Sequence, residues 1–245
     1  MTEKATLKEV VLFDVRRQSG WTFLGGLVDA DSSVVSVVLE DMDLPEAWSG
    51  AQAVKIISSC KWTELVIQNS KRNNAFKRED VNPFYDNLVT GLSSNKTITR
   101  FTLKNIPGAS NGDVSRLVDG LRKNKSVTHF TVALEDVWDR LKIKSLADFI
   151  RTSPQLEELN ISGVDKTIFD INDWITALET STLKRLIIST LDVYTAGKKS
   201  SKGMLIDKYL EDKLKAICDK NGHLVIVGMR EGAIPKEIVI SPTPQ

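Results

Sequence analysis

The sequence predicts an α/β repeat array of strand–loop–helix–loop units, with the strands in one parallel sheet and the helices in an outer row. Three observations predict it. A short strand phrase, apolar at its first, fourth and sixth positions, recurs along the chain. Its copies begin at Leu7, Val34, Trp62, Ile98, Val127, Leu156 and Leu183, with a weaker eighth at Leu224, and five of the seven spacings fall between 27 and 29 residues. A second phrase precedes the strands: Leu92-Ser-Ser-Asn-Lys-Thr-Ile98, Leu121-Arg-Lys-Asn-Lys-Ser-Val127 and Ile150-Arg-Thr-Ser-Pro-Gln-Leu156 align residue for residue, as does Val28-Asp-Ala-Asp-Ser-Ser-Val34. Repetition at such a period is the signature of a stacked array.

Each element has its own pattern. The strand triplets run Leu7-Val10-Leu12, Val34-Val37-Leu39, Trp62-Leu65-Ile67, Ile98-Phe101-Leu103, Val127-Phe130-Val132, Leu156-Leu159-Ile161, Leu183-Leu186-Ile188 and Leu224-Val227-Met229. Helices follow from apolar residues at i, i+3, i+4 and i+7: Val114, Leu117, Val118 and Leu121, then Ile171, Trp174, Ile175 and Leu178. Leu146, Phe149 and Ile150 mark a shorter face, and Leu210, Leu214 and Ile217 another. One unit cannot bury its own apolar residues, so stability comes from stacking. Strands pack closer together than helices can, which predicts a curved stack with the strands inside. Residues 1–233 are expected to form one domain of about seven to eight repeats, and 234–245 a C-terminal cap or disordered tail; Ile238 to Ile240 could add a last short strand.

The phrase and its period resemble the leucine-rich-repeat family, and the helical return segments make the chain similar to its ribonuclease-inhibitor-like class. The resemblance runs from Leu7 to about Val227. It implies a right-handed solenoid with a parallel sheet on the concave face and helices on the convex face. One feature departs from the family. Asn or Cys is usual three residues after the third apolar position, where it bonds the turn. Here those places hold Val15, Met42, Ser70, Ile106, Glu135, Val164 and Leu191. A side-chain ladder is therefore not expected, and irregular, looser turns are.

Composition bounds the function. The 245 residues carry 33 basic and 32 acidic side chains, a net charge of +1, which gives no general pull toward nucleic acid or membrane. Cys60 and Cys218 form no CxxC pair, so neither a zinc site nor a disulfide framework is expected. With no signal-like N-terminus and no membrane-length apolar run, a cytoplasmic location is expected. Sequons at Asn95, Asn124 and Asn160 then read as chance.

The chemistry-bearing residues are sparse. His129 lies in a strand, and neither it nor His223 has a second ligand or a nucleophile beside it in sequence. Cys60 and Cys218 fall near helix ends and read as small apolar packing residues. The clusters Asp29/Asp31 and Glu40/Asp41/Asp43 lack the EF-hand spacing and read as solvated loops. Two basic insertions, Lys71 to Arg78 and Gly197 to Gly203, read as solvated loops without an aromatic platform, and the second lacks the order of a phosphate loop. Trp62 and Trp174 take core positions; Trp21, Trp48 and Trp138 fall between strand and helix. No enzyme activity and no cofactor or metal are expected.

What remains is the outward face of the strands. Period-two alternation puts there Glu9, Val11, Phe13; Ser36, Val38, Glu40; Glu64, Val66, Gln68; Arg100, Thr102, Lys104; His129, Thr131, Ala133; Glu158, Asn160, Ser162; and Arg185, Ile187, Ser189. Val11, Val38 and Val66 form an apolar column edged by charge. The candidate partner-binding set is Val11, Val38, Glu40, Glu64, Val66, Gln68, Arg100, Thr102, Lys104 and His129. The expected function is a protein-binding module (adaptor, regulator or scaffold) with a protein partner and neither nucleic acid nor membrane. The alternatives are a structural subunit of a larger assembly and the regulator of an enzyme such as a GTPase or a ubiquitin ligase.

Overall fold

Strands with one buried face need apolar side chains at every second residue, and the repeated phrases supply them. The computed structural model of the chain describes residues 7–13, 18–29, 33–41, 51–69, 78–106, 111–134, 140–162, 164, 171–190, 194–195, 198–199, 208–230 and 236–244. The chain divides into two compact units, Met1–Thr128 and His129–Gln245.

The first unit alternates β1 (Glu9–Phe13), α1 (Gln18–Asp29), β2 (Ser36–Glu40), α2 (Ala51–Ser59), β3 (Glu64–Gln68), α3 (Arg78–Ser94), β4 (Arg100–Ile106) and α4 (Asn111–Lys123). Its strands are parallel and in sequence order. Register stacks like on like. Val10, Val37, Leu65 and Phe101 form one buried row, and Leu39, Ile67 and Leu103 continue a second that starts at half-buried Leu12. On α4, Val114, Leu117, Val118 and Leu121 are all buried, as their spacing predicts. Neighbouring helices approach closely at glycine: a Cβ on Gly91 would lie 2.8 Å from Ile57 Cβ, and one on Gly120 would lie 2.6 Å from Val89 Cγ1.

The second unit contains β5 (His129–Leu134), α5 (Arg140–Thr152), β6 (Glu158–Ser162), α6 (Ile171–Glu179), β7 (Arg185–Thr190), a small hairpin of β8 (Tyr194–Thr195) and β9 (Lys198–Lys199), α7 (Lys208–Asn221), β10 (Val225–Arg230) and β11 (Lys236–Ile240). β5, β6, β7 and β10 are parallel neighbours in that order, and β11 adds antiparallel to β10. The buried row faces the helices, as the edge-to-face contact of Phe130 on β5 with Phe149 on α5 shows, with ring centroids 6.1 Å apart. Trp62 and Trp174 are buried in their respective units; Trp48, Trp138 and the side chain of Trp21 lie outside the described residues.

Two expectations are corrected here. The expected eighth triplet, Leu224-Val227-Met229, is out of register. Ile226 pairs with Leu186 and Gly228 with Ile188, so Ile226 and Gly228 continue the inward rows and Val227 falls in the outward column beside Ile187. A one-residue slip exchanges the faces of a strand. The side-chain ladder that was not expected is present, on the other side of the strand. Asn95 and Asn124, 2% and 1% exposed, sit at the helix-to-strand corner. Asn95 Nδ2 donates to the carbonyls of Ile57 (2.8 Å) and Cys60 (3.2 Å), while its Oδ1 accepts from the amides of Thr97 (2.8 Å) and Ile98 (2.7 Å). Asn124 repeats the pattern one unit later, on Leu92 (2.6 Å), Asn95 (2.9 Å), Ser126 (2.8 Å) and Val127 (2.8 Å). Asn221 donates likewise to Leu178 O at 2.6 Å.

Threonine hydroxyls add a second series, Thr99 onto Thr63 O and Thr128 onto Thr99 O, both at 3.2 Å. At the strand ends, left-handed backbone at Asp41 (φ 52°), just after β2, and at Asn105 (φ 54°), next to last in β4, turns the chain, and Asn105 Nδ2 donates to Asn69 O at 2.9 Å. Asn and Asp tolerate that conformation because their side chains bond locally. The polar turn residue thus stands one place earlier than the family pattern has it. The next place is apolar at Met42 and Ile106 and at fully buried Val164, but polar at Ser70 and Glu135.

Candidate functional site

Side chains on the open face of the first unit come from alternate residues of β1 to β4. Register aligns Val11 with Val38, Val38 with Val66 and Val66 with Thr102. The flanking columns read Glu9, Ser36, Glu64, Arg100 and Phe13, Glu40, Gln68, Lys104. Val11 is 39% exposed and Phe13 66%, whereas Val38 and Val66 are half-buried by their neighbours. Glu40, Glu64, Gln68, Thr102 and Lys104 are half-buried and Arg100 is exposed. Nine of the ten expected partner-binding residues therefore share this face. The tenth, His129, stands on β5 in the second unit.

The second unit carries a feature that sequence reasoning missed. A depression of ≈ 430 Å³ opens on its strand face, lined by His129, Glu157, Glu158, Lys184, Arg185, Val225, Val227, Glu237 and Val239. Its apolar side is Val225, Val227 and Val239, of which Val227 is 3% exposed and Val239 57%. Its rim is zwitterionic: Lys184 Nζ lies 3.0 Å from Glu157 Oε1, and Arg185 Nη1 lies 3.6 Å from Glu158 Oε2. Two of its residues belong to β10 and two to β11, strands whose outward residues the slipped triplet concealed. Ile187 and Ser189, expected to face outward, are buried.

Among the described residues no three His, Cys, Asp or Glu side chains gather as a metal site, and no helix is long and apolar enough to cross a membrane. Cys60 and Cys218 are free and buried, and burial pushes each thiol up from 9.0 to about 11, the wrong direction for a nucleophile. Of the basic insertions, Lys198 and Lys199 form β9, and Arg78 begins α3; the remaining residues of both, with Asp31 and Asp43 of the acidic clusters, lie outside the described residues.

No family model matches the chain, and no curated protein matches it. Solved structures similar to it include actin-binding site 2 of leiomodin-1, at 16% identity and a TM-score of 0.46 over 61% of this chain and 80% of that one. The C-terminal domain of tropomodulin from Caenorhabditis elegans is similar at 15% identity and a TM-score of 0.44, over 61% of this chain and 84% of that one.

Proposed function

We propose that the chain is a leucine-rich-repeat protein of the ribonuclease-inhibitor-like class that works without catalysis, as an adaptor, regulator or scaffold binding a protein partner through the open face of its strands. The observation that carries this is the column Val11–Val38–Val66, held in register on three adjacent strands beside exposed Phe13 and flanked by Glu40, Glu64, Arg100 and Lys104. An apolar strip with a charged rim is the anatomy of a recognition surface, the strip contributing burial and the charges orientation. A cytoplasmic location fits two thiols that are free and buried.

The test is a comparison of proteins captured from cell extract by the wild-type chain and by folded Val38→Asp and Val66→Asp variants. The reading requires a partner that the wild type retains and both variants lose. Retention of every partner by both variants overturns it.

A second reading, a structural subunit of a larger assembly, is favoured by one observation. β1 ends the strand order of its unit, and Leu7, Phe13 and Phe23 at that end are each about half exposed or more. Large apolar side chains on a terminal repeat are what a covered end would carry.

A further inference from the structure

The C-terminal residues Ser241-Pro242-Thr243-Pro244 place two hydroxyl residues each directly before a proline. They directly follow β11, outside any helix or strand, and Ser241, Thr243 and Pro244 are exposed. A polar clamp pins this segment to the last turns of α7. Thr243 donates its backbone N–H to Asp219 Oδ1 at 2.7 Å, and its hydroxyl lies 2.9 Å from the same oxygen. Lys215 Nζ reaches Asp219 Oδ1 (2.8 Å), Thr243 Oγ1 (2.8 Å) and Ser241 O (2.7 Å).

We propose that Thr243 is a phosphorylation site for a proline-directed serine/threonine kinase, and that its phosphate undoes the clamp and releases β11 from β10. In the transfer, Thr243 Oγ1 attacks the γ-phosphorus of ATP. The bond to the β-phosphate oxygen breaks, ADP leaves, and the hydroxyl proton passes to the kinase's base. Three consequences follow at the clamp. The hydroxyl donor is lost. Close to two negative charges arrive beside the Asp219 carboxylate. They also arrive at the carbonyl end of α7, where the helix dipole disfavours an anion. Asp219 is already ionised in the clamped state the phosphate meets, since Lys215 and the two Thr243 donors there hold its carboxyl down at about 2. Lys215 is the one cation in the clamp, and a single ammonium cannot neutralise both anions.

What the clamp secures is specific. β11 pairs with β10 from Ile226↔Ile240 to Arg230↔Lys236. It contributes Glu237 and Val239 to the depression in the second unit. Buried Ile240 covers Cys218, whose thiol donates to Ile240 O at 3.7 Å. Release would remove part of the depression's lining and bare Cys218, while Cys60, buried in the other unit, serves as an internal control.

The test uses the full chain, a purified proline-directed kinase and magnesium-ATP, with phosphosites mapped by mass spectrometry. Phosphate is expected on Thr243 in the wild type and not in Pro244→Ala. In the phosphorylated chain, amides of Lys236–Ile240 should exchange about ten-fold faster or more, and Cys218 should alkylate while Cys60 does not. In phosphorylated Asp219→Asn the acceleration should be smaller, because the repulsion is gone. Phosphate only on Ser241 or nowhere overturns the proposal, as does phosphorylated Thr243 with unchanged exchange, or equal acceleration in Asp219→Asn.

Discussion

The side-chain amide of Asn124 donates to the backbone carbonyl of Asn95 at 2.9 Å, and the side-chain amide of Asn95 donates to the carbonyl of Cys60 at 3.2 Å. Each asparagine thus ties its own helix-to-strand corner to the corner of the preceding repeat. The same bonds explain two of the sequons. The residue two after each asparagine, Thr97 or Ser126, supplies an amide and a hydroxyl to its Oδ1, so the glycosylation pattern arises from a turn and its asparagine is buried.

Asn124→Ala would leave the buried Asn95 carbonyl, the buried Val127 amide and the part-buried Ser126 amide without this partner, while Leu92 O keeps the amide of Asn95. At about 1–3 kcal/mol for each unsatisfied buried group, partly relieved by water or relaxation, a loss of roughly 3 kcal/mol or more is expected. Urea unfolding measures it. A loss below about 0.5 kcal/mol would mean that the ladder contributes little to stability.

Gly91→Ala should destabilise, against the usual helix preference for alanine. The gain from propensity is about 1 kcal/mol, but the new methyl would sit 2.8 Å from Ile57 Cβ, which cannot rotate away. Overpacking of this kind costs about 1–3 kcal/mol. The double variant Gly91→Ala/Ile57→Ala should recover part of the loss; a rise in melting temperature for the single variant would contradict the close approach of α2 and α3.

Leu159→Ala should cost roughly 2–5 kcal/mol. Leu159 is fully buried and lies in register between Phe130 and Leu186, so truncation opens a cavity with a neighbour on either side. Chemical denaturation checks it; an unchanged midpoint would place Leu159 outside the core.

Legibility differed by element for physical reasons. Seven strands were readable because a half-buried strand must alternate, and the period fixed where each began. The eighth was misread because Gly228 holds an inward place with no side chain to reveal it, while Val227, outward and buried, imitates a core residue. That slip hid the depression formed by Val225, Val227 and Val239. The ladder does not lie after the strand, where the leucine-rich-repeat pattern has it. Its asparagines stand before the strand, in the very phrases that align at Asn95 and Asn124, so a polar residue recurring at one frame position was the signal available. The clamp joins Lys215 and Asp219 to Thr243, more than twenty residues onward, and no local pattern announces it.

Alkaline pH should weaken the fold through its cysteines. Burial raises both thiols from 9.0 to about 11. Below pH 9 folded and unfolded chains both keep these protons, and the contribution is intact. Between 9 and 11 the unfolded chain sheds protons that the folded chain retains, so stability falls as pH rises. The drop in urea midpoint across this window should be smaller in Cys60→Ala/Cys218→Ala than in the wild type. An equal drop would assign the alkaline loss to other groups.

The last prediction separates the two open faces. Val38 sits mid-column, its neighbours Val11 and Val66 on adjacent strands about 4.8 Å to either side. It is half-buried, so Val38→Asp will cost some stability, and circular dichroism must first show a folded chain. A carboxylate there would be driven into an apolar contact, and leaving it unpaired at a covered interface costs several kcal/mol, enough to abolish binding. Lys199, on the β9 edge of a small hairpin, should tolerate Ala with little loss of affinity. Val239→Asp puts the same charge into the depression of the second unit, where Val239 is open to solvent. Measured against one identified partner, loss in Val38→Asp with retention in Val239→Asp assigns binding to the first unit. The reverse pattern moves the interface to the depression and removes the Val11–Val38–Val66 column from the account of function.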